Sequence, residues 1–513
     1  PAAVRWLNNT VFMAVASMIL TCITSAMAGY ALAKKRFVGR SILFTLIVCA
    51  MALPKQVILI PLLREMSSLQ LYNTIWAVIF PIVGWPFGVF LMKQFSEGIP
   101  TEMLEAARIG FGASGRNGGC LLTWSAKYLT LKRLFGEEQA AWLVRSSEQA
   151  VHEIARFCAA HQIEAELRVE GTCYTATSEA QRGLMDPVLR ELERADLNQW
   201  QTIEESELAS QSGSHVHLEG LYSPHAGSVQ PALLVRGLLR VARALGVEVY
   251  EHSPMQRLDA GQPVRVQTPQ GEVRARKVVL ALNSAMTAHF REFRRSIVLV
   301  SSDMVITDPA PNALAAQQLA HGRTVVDGRT FVHYYRSTPQ GRLMLGKGGN
   351  TFAFANRHLA EFDAPSRYLA PLTRTLRRFF PALKEVPIAA SWCGASDRSV
   401  DGLPFFGHWR GQPNVVYGLG YSGNGVAQSW MGGRILAALV RDEVREEDKP
   451  WRECALVSGP RGYFPPEPLR WLGAMAVRNA IRRKERAEDE KRPVAWYDKQ
   501  LARLADAAGK ADK

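Results

Sequence analysis

The chain has 513 residues, which corresponds to about three domains at roughly 150 residues per domain. Hydrophobic residues make up 47% of the sequence and charged residues 21%, a balance that excludes a wholly disordered or fibrous protein. The net charge is +14, but the basic residues are scattered or flank apolar segments, so no nucleic-acid partner is predicted. The seven cysteines form no C-x-x-C pair or Cys/His cluster, so neither a disulfide framework nor a metal site is predicted.

Apolar residues are concentrated in the first hundred positions. No charged residue occurs between Arg5 and Lys34, and a second apolar run, SILFTLIVCAMALP, continues past Lys55 into QVILIPLL. A third uncharged run lies between Glu65 and Lys93. A helix that crosses a bilayer needs about 20 predominantly apolar residues. We therefore predict three transmembrane α-helices, from about residue 8 to residue 94.

The loops between these segments predict their orientation. The first loop, KKRFVGR, is strongly basic, whereas the second, REMSSLQLYNT, has one basic residue. Positive loops stay on the cytoplasmic side, so everything after Lys93 is expected in the cytoplasm. The apolar runs contain four prolines, which membrane helices tolerate when neighbouring helices satisfy the freed backbone groups. These prolines are Pro54, Pro61, Pro81 and Pro86.

The segment IPTEMLEAARIG, residues 99–110, follows the third run. It resembles the cytoplasmic loop of carbohydrate-uptake ABC transporter permeases, whose E-A-A-x-x-x-G signature docks into the ATPase subunit. Glu105, Ala106 and Ala107 match the start of that signature, and residues 110–112 lie near its final glycine. The resemblance covers residues 1–109. It implies a bacterial-type inner-membrane location, a lipid bilayer as surroundings, and an ABC ATPase as partner through the Glu105 to Ala107 loop.

Two glycine-rich stretches mark the rest of the chain. GASGRNGG, residues 112–119, allows close approach of the backbone to a ligand, and its N–H groups and arginine suit phosphate oxygens, although an ordinary glycine-rich loop has the same composition. GLGYSGNGV carries Gly418, Gly420 and Gly423 as G-x-G-x-x-G between a predicted strand and a predicted helix. A first Rossmann turn also needs an acidic residue about 20 positions later, which is absent. A phosphate-facing loop at a helix N-terminus is therefore preferred.

The segments between these stretches have clear periodicity. ALLVRGLLRVARALG predicts an amphipathic helix that Gly246 ends, followed by a short strand at VEVYE. KVVLALN predicts a buried strand at residues 278–282.

Together these stretches resemble the D-amino-acid-oxidase-like family of FAD-dependent oxidoreductases, over roughly residues 110–440. The matching stretches are GASGRNGG, SVQPALLVRGLLRVARALGVEVYE, KVVLALN, YYRSTPQGRLMLG and DGLPFFG with VVYGLGYSGNGVAQS. GASGRNGG with Trp392, Cys393 and Gly394 is most similar to the gamma-glutamylputrescine oxidase branch. The glycine-oxidase branch usually has an Arg-Pro pair where Ser396 and Asp397 stand. The resemblance implies oxidation of a C–N bond in a small amine or amino acid.

The resemblance also implies FAD as cofactor and a set of residues that contact it. These cofactor-binding residues are Glu105, Ser114, Arg116, Asn117, Gly118, Gly119, Met255, Ala281, Gly420, Ser422, Gly423, Asn424, Gly425 and Val426. Tyr335 and Arg336 are interpreted as substrate-side residues, with a solvent-paired strand as the alternative.

The family normally opens with a strand, a G-x-G-x-x-G turn and a helix, and this chain has none of them before its LEAARIGFGASG segment. That segment fits both the permease signature and the end of the family's second strand, and Glu105 satisfies both. We interpret the chain as a chimaera joined at this similarity. Loss of the first glycine turn removes about 5 kcal/mol of pyrophosphate binding, which weakens FAD affinity by about 10³–10⁴. A membrane-tethered oxidoreductase, a sugar-uptake permease component and a non-functional fusion remain open.

The predicted organisation has three parts. Residues 1–109 form a permease-like transmembrane fragment. Residues 110–464 form an α/β FAD-binding body, a truncated Rossmann-like domain, with an antiparallel-sheet substrate domain. Residues 465–513 form a basic helical C-terminal tail, which mixed charges at i, i+4 spacing predict to be exposed and peripheral.

Overall fold

The computed structural model describes residues 2–34, 39–51, 55–83, 86–98 and 109–505. Its contacts divide the chain into two compact units, Pro1–Met103 and Leu104–Lys513. The finer boundaries at residues 109 and 464 stay predictions. Each unit is described separately below.

Helices are the regular secondary structure of the first unit in its described residues, with turns at residue 39 and residues 69–75. Its helices are α1 (Ala2–Lys34), α2 (Arg40–Met51), α3 (Lys55–Ser68), α4 (Trp76–Val83) and α5 (Pro86–Gly98). Within the described residues, two helical segments are long and apolar enough to cross a membrane, Trp6–Gly29 and Trp76–Lys93. The second predicted span instead comprises α2 and α3, and α2, at 12 residues, is about 18 Å long. Three spans are therefore not confirmed.

Small residues allow α1 and α5 to pack closely. A Cβ atom on Gly29 would lie 2.7 Å from the backbone of Met92 and Lys93, and one on Gly88 would overlap Ser25 Oγ. Close packing through glycine and serine is typical of helices in lipid, where dispersion contacts replace the hydrophobic effect. Large apolar side chains of this unit, such as Met27 at 69% exposed, face outward instead.

Hydroxyl groups of α1 satisfy carbonyls at the end of α4. Pro86 has no N–H, so the carbonyl of Ile82 lacks the donor that a continuous helix would supply. Thr21 Oγ1 lies 3.5 Å from the Ile82 carbonyl oxygen, and Thr24 Oγ1 lies 3.2 Å from that of Val83 and 2.9 Å from that of Leu20 in its own helix. These contacts agree with the expectation that a neighbouring helix compensates for Pro86.

Replacing Thr24 by valine is expected to weaken the packing of α1 on α4 by about 0.6–1.7 kcal/mol, because the Val83 carbonyl loses its interhelical donor. Unfolding in mixed detergent micelles measures this change. Thr10→Val is the matched control, since the Thr10 hydroxyl donates only within its own helix, to the Trp6 carbonyl at 2.9 Å. Equal losses from the two variants would contradict the assignment.

The second unit mixes helices and strands. Its helices are α6 (Ala113–Arg116), α7 (Tyr128–Ala160), α8 (Asp186–Arg194), α9 (Glu205–Ser212), α10 (Pro231–Ala244), α11 (Met286–His289), α12 (Pro311–Ala316), α13 (Leu369–Phe379), α14 (Gly425–Val440), α15 (Lys449–Arg452), α16 (Leu469–Asp489) and α17 (Trp496–Ala505). Its strands are β1 (Cys120–Leu121), β2 (Thr172–Ala176), β3 (Gln201–Thr202), β4 (Glu219–Ser223), β5 (Gly227–Ser228), β6 (Arg257–Asp259), β7 (Val264–Thr268), β8 (Gly271–Ala275), β9 (Val278–Leu280), β10 (Ile297–Thr307), β11 (Thr324–Asp327), β12 (His333–Ser337), β13 (Leu343–Phe352), β14 (Ile388–Ser399), β15 (Phe405–His408) and β16 (Val415–Leu419).

The largest sheet, in the order β14-β10-β13-β12-β11-β2-β4-β3, is antiparallel except between β11 and β2. A smaller sheet has the order β15-β16-β9, in which β16 and β9 are parallel. Strands β6, β7 and β8 form an antiparallel sheet, and β1 pairs with β5. The predicted combination of an α/β part and an antiparallel sheet is confirmed at this coarse level.

The parallel part of the smaller sheet is narrow. Strand β9 pairs with β16 on one side. On the other side β9 is an edge in the described part of the chain, and Val279 is 43% exposed. The short strand predicted at VEVYE does not form, and Val247 and Tyr250 are exposed. A strand requires a paired neighbour for its backbone groups, and no strand is described beside this segment.

The C-terminal helices α16 and α17 pack against the large sheet. Glu485 is buried, and its carboxylate accepts from the Phe331 N–H at 3.2 Å and Lys347 Nζ at 3.3 Å. Asp489 accepts from the Arg329 guanidinium at 2.6 Å. The helical character of the tail is confirmed, but its predicted peripheral position is wrong at Glu485, because buried basic residues of the sheet supply partners that the sequence did not reveal.

Candidate functional site

Two parallel strands end at one edge of the smaller sheet. Val415 of β16 lies opposite Val278 of β9, and this register continues to Tyr417 opposite Leu280. The next residue after β9 is Ala281, and the next after β16 is Gly420. Because open α/β sheets bind ligands at the carboxyl ends of their parallel strands, this edge is the candidate site.

The loop after β16 turns sharply into helix α14. Gly420 has φ +89° and Gly423 has φ +88°, values that suit glycine because it has no Cβ. Helix α14 begins at Gly425, and no side chain caps its first turn. The open N-terminus of a helix attracts negative charge and carbonyl oxygens. The loop from Ser422 to Val426 therefore presents the backbone N–H groups of Gly423, Gly425 and Val426 beside the strand ends.

Asp397 of β14 holds this loop in place through hydrogen bonds. Its buried carboxylate accepts from the Gly420 N–H, and its backbone carbonyl accepts from the Ser422 N–H at 2.9 Å. Burial raises the pKa of the Asp397 carboxyl to about 7, while the loop N–H groups act in the opposite direction. Arg398 donates to the Ser422 carbonyl at 3.3 Å. The N–H groups of Gly420, Ser422 and Asn424 are thus used within the protein, and those of Gly423, Gly425 and Val426 are the open donors.

The glycine stretch after α6 is shaped by close contacts with the large sheet. Asn117 Oδ1 accepts from the Gly119 N–H at 2.8 Å, which folds the stretch back on itself. A Cβ on Gly118 would overlap the Tyr334 ring, and one on Gly119, whose φ is +72°, would overlap the Val229 carbonyl. Gly118 and Gly119 therefore allow close backbone packing. This packing alone, without any ligand, is a reason for glycine at both positions.

Replacing Gly119 by alanine is expected to destabilise the second unit by about 1–3 kcal/mol, since it adds left-handed strain to an overlap with the Val229 carbonyl. Denaturant unfolding measures the loss. Gly112→Ala is the matched control in the same stretch, because Gly112 has φ −76° and no atom within 4 Å of its Cβ position. A larger effect from the control would contradict this account.

Arg116 anchors the other end of the stretch to β14. Its guanidinium donates to the Phe362 carbonyl at 3.0 Å and lies 3.3 Å from the Asp363 carboxylate. Trp392 Nε1 donates to the Arg116 carbonyl at 2.9 Å. Arg116 and Trp392 line a cavity of about 400 Å³ together with Gly115, Asp363 and Ser391. Ser114 precedes this anchor and is exposed.

Strand β14 brings the two glycine segments together. A Cβ on Gly394 would lie 3.6 Å from Arg116 Cβ, and one on Gly423 would lie 3.8 Å from Ser396 Oγ. Gly394 and Ser396 are two positions apart on one strand face, about 7 Å. Gln428 Nε2 of α14 also donates to the Leu122 carbonyl at 2.9 Å, just beyond the glycine stretch. The predicted convergence of the two segments on one cleft is therefore supported by these contacts.

Two buried acceptors at this edge have no partner in the described part of the chain. Gln428 Oε1 lies in the first turns of α14, and Asn283 Oδ1 lies just after β9. Buried acceptors without donors are costly, so a bound group with N–H or O–H donors would be favourable here. Neither residue was predicted from the sequence. Their positions could have indicated them, since Asn283 ends the KVVLALN segment and Gln428 lies in the first turn of helix α14, which follows the glycine-rich loop.

The remaining predicted residues lie apart from this edge or outside the described ranges. Glu105 lies outside the described residues, as do Ala106 and Ala107. The Ile109 N–H donates to the Glu251 carboxylate at 2.9 Å. Met255 is half-buried in the hydrophobic cluster that contains Leu280 of β9.

Tyr335 and Arg336 are buried on opposite faces of β12. The Tyr335 hydroxyl donates to the Ser212 carbonyl at 2.7 Å and lies 2.8 Å from His217 Nε2. Arg336 Nε donates to the Gly118 carbonyl at 2.7 Å. Arg336 thus supports the glycine stretch, and a substrate-side role for either residue stays a prediction.

Comparison with known proteins assigns the second unit. The family described as FAD dependent oxidoreductase matches residues 90–439, and the chain belongs to this family. The gamma-glutamylputrescine oxidoreductase of Escherichia coli is 28% identical over 353 residues, which cover 68% of this chain and 80% of that protein. Glycine oxidase from Geobacillus kaustophilus has the same fold, with a TM-score of 0.54 at 19% identity over 65% of this chain and 86% of that one.

A separate match covers the first unit. The arabinooligosaccharide transport permease AraQ of Halalkalibacterium halodurans is 38% identical over 104 residues, which cover 20% of this chain. Those residues span 37% of the permease's own length. The chain is therefore a fusion of a permease-like fragment and an FAD-dependent oxidoreductase, as the sequence motifs predicted.

Proposed function

We propose that this chain is an FAD-dependent oxidoreductase that oxidises the C–N bond of a small amine or amino acid. The observation that carries the proposal is the meeting of the two glycine segments along β14, beside the carboxyl ends of β9 and β16. The names of the E. coli and Geobacillus relatives, which concern amine and amino-acid compounds, support this substrate class.

The residues at this edge fit the flavin end of the cofactor. The open first turn of α14 offers N–H donors to carbonyl oxygens, and Gln428 and Asn283 offer unpaired acceptors. A flavin held at this edge would supply a hydride acceptor for the carbon beside the amine nitrogen; the nitrogen would lose a proton, and water would hydrolyse the imine to a carbonyl compound and an amine or ammonia. Arg116 and Trp392, which line the cavity beside this edge, are proposed to border the substrate.

The pyrophosphate end is proposed to be incomplete. Before the GASGRNGG stretch, the described residues contain only the helices of the first unit and residues 109–111, without a strand, glycine turn and helix in succession. Strand β9 is an edge among the described strands, and residues 247–251 form no strand. We therefore propose that FAD binds more weakly than an intact site would allow, by about 10³–10⁴.

The first unit is proposed to anchor the enzyme in a bacterial-type inner membrane through three spans, with the oxidoreductase unit in the cytoplasm. The permease relatives and the two helical segments of spanning length support membrane association. Docking of an ABC ATPase on the Glu105 to Ala107 loop remains a secondary proposal, since that loop lies outside the described residues. The boundaries 1–109, 110–464 and 465–513 are proposed on the same sequence grounds.

The activity is tested with the full chain in detergent and excess FAD under anaerobic conditions. Primary amines, secondary amines and amino acids are added one at a time, with the corresponding alcohols as controls. Loss of the visible flavin absorbance with an amine, but not with its alcohol, is the expected result. Bound FAD that no amine or amino acid reduces would overturn the proposal.

A further inference from the structure

One face of helix α7 lines a second cavity, separate in its residues from the glycine segments. The cavity has a volume of about 720 Å³, within the range of pockets that hold small ligands. Arg145, Glu148, His152 and Arg156 contribute to it from positions i, i+3, i+7 and i+11 of the helix, which share one face. His225, between β4 and β5, also lines the cavity.

Glu148 is the unusual member of this cavity. Its Oε1 atom is buried and has no hydrogen-bond partner in the described part of the chain. Burial raises the pKa of the Glu148 carboxyl to about 7, against the opposing effect of Arg145. A buried carboxyl oxygen without a donor is costly, so a ligand that brings an N–H group would stabilise it.

The other end of the cavity suits an anion. His152 Nε2 and His225 Nδ1 lie 3.1 Å apart, and their rings meet edge to face. Arg156 follows His152 by one helical turn and adds a permanent positive charge. A metal ion is less suited to this place, because no group of three or more metal-ligating side chains occurs among the described residues.

We propose that this cavity binds a small zwitterion, with its carboxylate at Arg156 and the histidine pair and its protonated amine at Glu148. Glu148 lies about one helical turn from His152 and about two turns from Arg156, so a ligand with only one charge satisfies half of the site. This binding is additional to the proposed oxidation and uses none of the residues assigned to the flavin. Strand β5 follows His225 and pairs with β1, which continues from Gly119, so the two sites share one backbone connection.

The test is calorimetric titration of the full chain in detergent, without FAD, using three ligands of matched length. 4-Aminobutyrate carries both charges, butyrate only the carboxylate, and butylamine only the amine. 4-Aminobutyrate is expected to bind with a dissociation constant of about 1 mM or tighter, and each single-charge ligand about tenfold or more weakly. Equal binding of butyrate and 4-aminobutyrate, or no saturable heat up to about 50 mM, would overturn the proposal.

Variants locate the binding. Glu148→Gln and Arg156→Gln are each expected to weaken 4-aminobutyrate about tenfold or more, by removing one charge from the site. Glu138→Gln, an exposed change on the same helix outside the cavity, is the charge-matched control and should bind as the parent does. Arg116→Lys should also bind normally, whereas its loss of binding would place the ligand in the flavin cleft and overturn the proposal. Circular dichroism checks that each variant is folded. If a variant does not fold, the comparison of 4-aminobutyrate, butyrate and butylamine on the parent protein still tests the proposal.

Discussion

Replacing Arg329 by methionine is expected to destabilise the second unit by about 3–5 kcal/mol. Arg329 is buried, and its guanidinium donates to Asp327 at 2.8 Å, to Asp489 at 2.6 Å and to the Thr177 hydroxyl at 3.1 Å. Methionine fills similar space but leaves the buried Asp327 carboxylate without its cation. The loss of one partner from a buried charge cluster is costly because the remaining charge stays desolvated.

Denaturant unfolding measures the loss of stability. Limited proteolysis measures how firmly the C-terminal helices are held, because Asp489 joins helix α16 to Arg329. Faster cleavage of the C-terminal helices is expected in the variant. Arg367→Met is the matched control, since the Arg367 side chain is 72% exposed and its contact with Glu361 is worth about 0–1 kcal/mol. A loss below about 1 kcal/mol for Arg329→Met would contradict the role of this cluster.

The contribution of Asp397 to the stability of the second unit is expected to fall as the pH rises from about 4 to about 7. Burial raises the pKa of the Asp397 carboxyl from 3.8 to about 7. In this window the unfolded state has lost the proton and the folded state still holds it, so folding is favoured most at low pH. A rise of this size corresponds to about 4 kcal/mol, at about 1.4 kcal/mol for each pKa unit.

Asp397→Asn isolates this contribution. The amide keeps the shape and an acceptor oxygen for the Gly420 N–H, but it cannot ionise. The unfolding free energy of the variant, measured relative to that of the parent, should therefore rise by about 2–3 kcal/mol between pH 5 and pH 8, the range in which Asp397 titrates. Glu148, whose carboxyl also has a pKa raised to about 7, stays in both proteins and cancels. Identical pH profiles for parent and variant would show that Asp397 does not titrate here.

The sequence was most informative where a local pattern determines local structure. The amphipathic pattern before Gly246 predicted helix α10, and KVVLALN predicted strand β9. The two glycine stretches predicted a common cleft, because the resemblance placed both at one cofactor. Contacts along β14 support that arrangement.

The sequence was least informative where a residue distant in the chain determines whether a segment is paired or buried. VEVYE has the composition of a strand, but within the described residues no strand lies beside it and it stays unpaired. Glu485 belongs to a mixed-charge stretch that predicts exposure, yet Lys347 and Phe331 bury it. Tyr335 and Arg336 are neighbours in sequence, but strand geometry places them on opposite faces. Such contacts join residues more than a hundred positions apart, and one sequence does not reveal them.

The central claim is that the cleft keeps the flavin end of its site and lacks the pyrophosphate end. Gly423→Ala, which places a side chain at φ +88° in the loop, should weaken flavin binding, whereas Gly433→Ala in the following helix α14 has open space around its Cβ position and should not.

The direct measurement is parallel titration of the purified chain with FAD and with riboflavin, followed by flavin fluorescence. Saturable binding of both, weaker than about 1 μM and within about tenfold of each other, is the predicted result, because the adenosine diphosphate part finds few partners. FAD binding at about micromolar affinity or tighter, with riboflavin about 10³-fold weaker, would show that the pyrophosphate site is intact and would contradict the account.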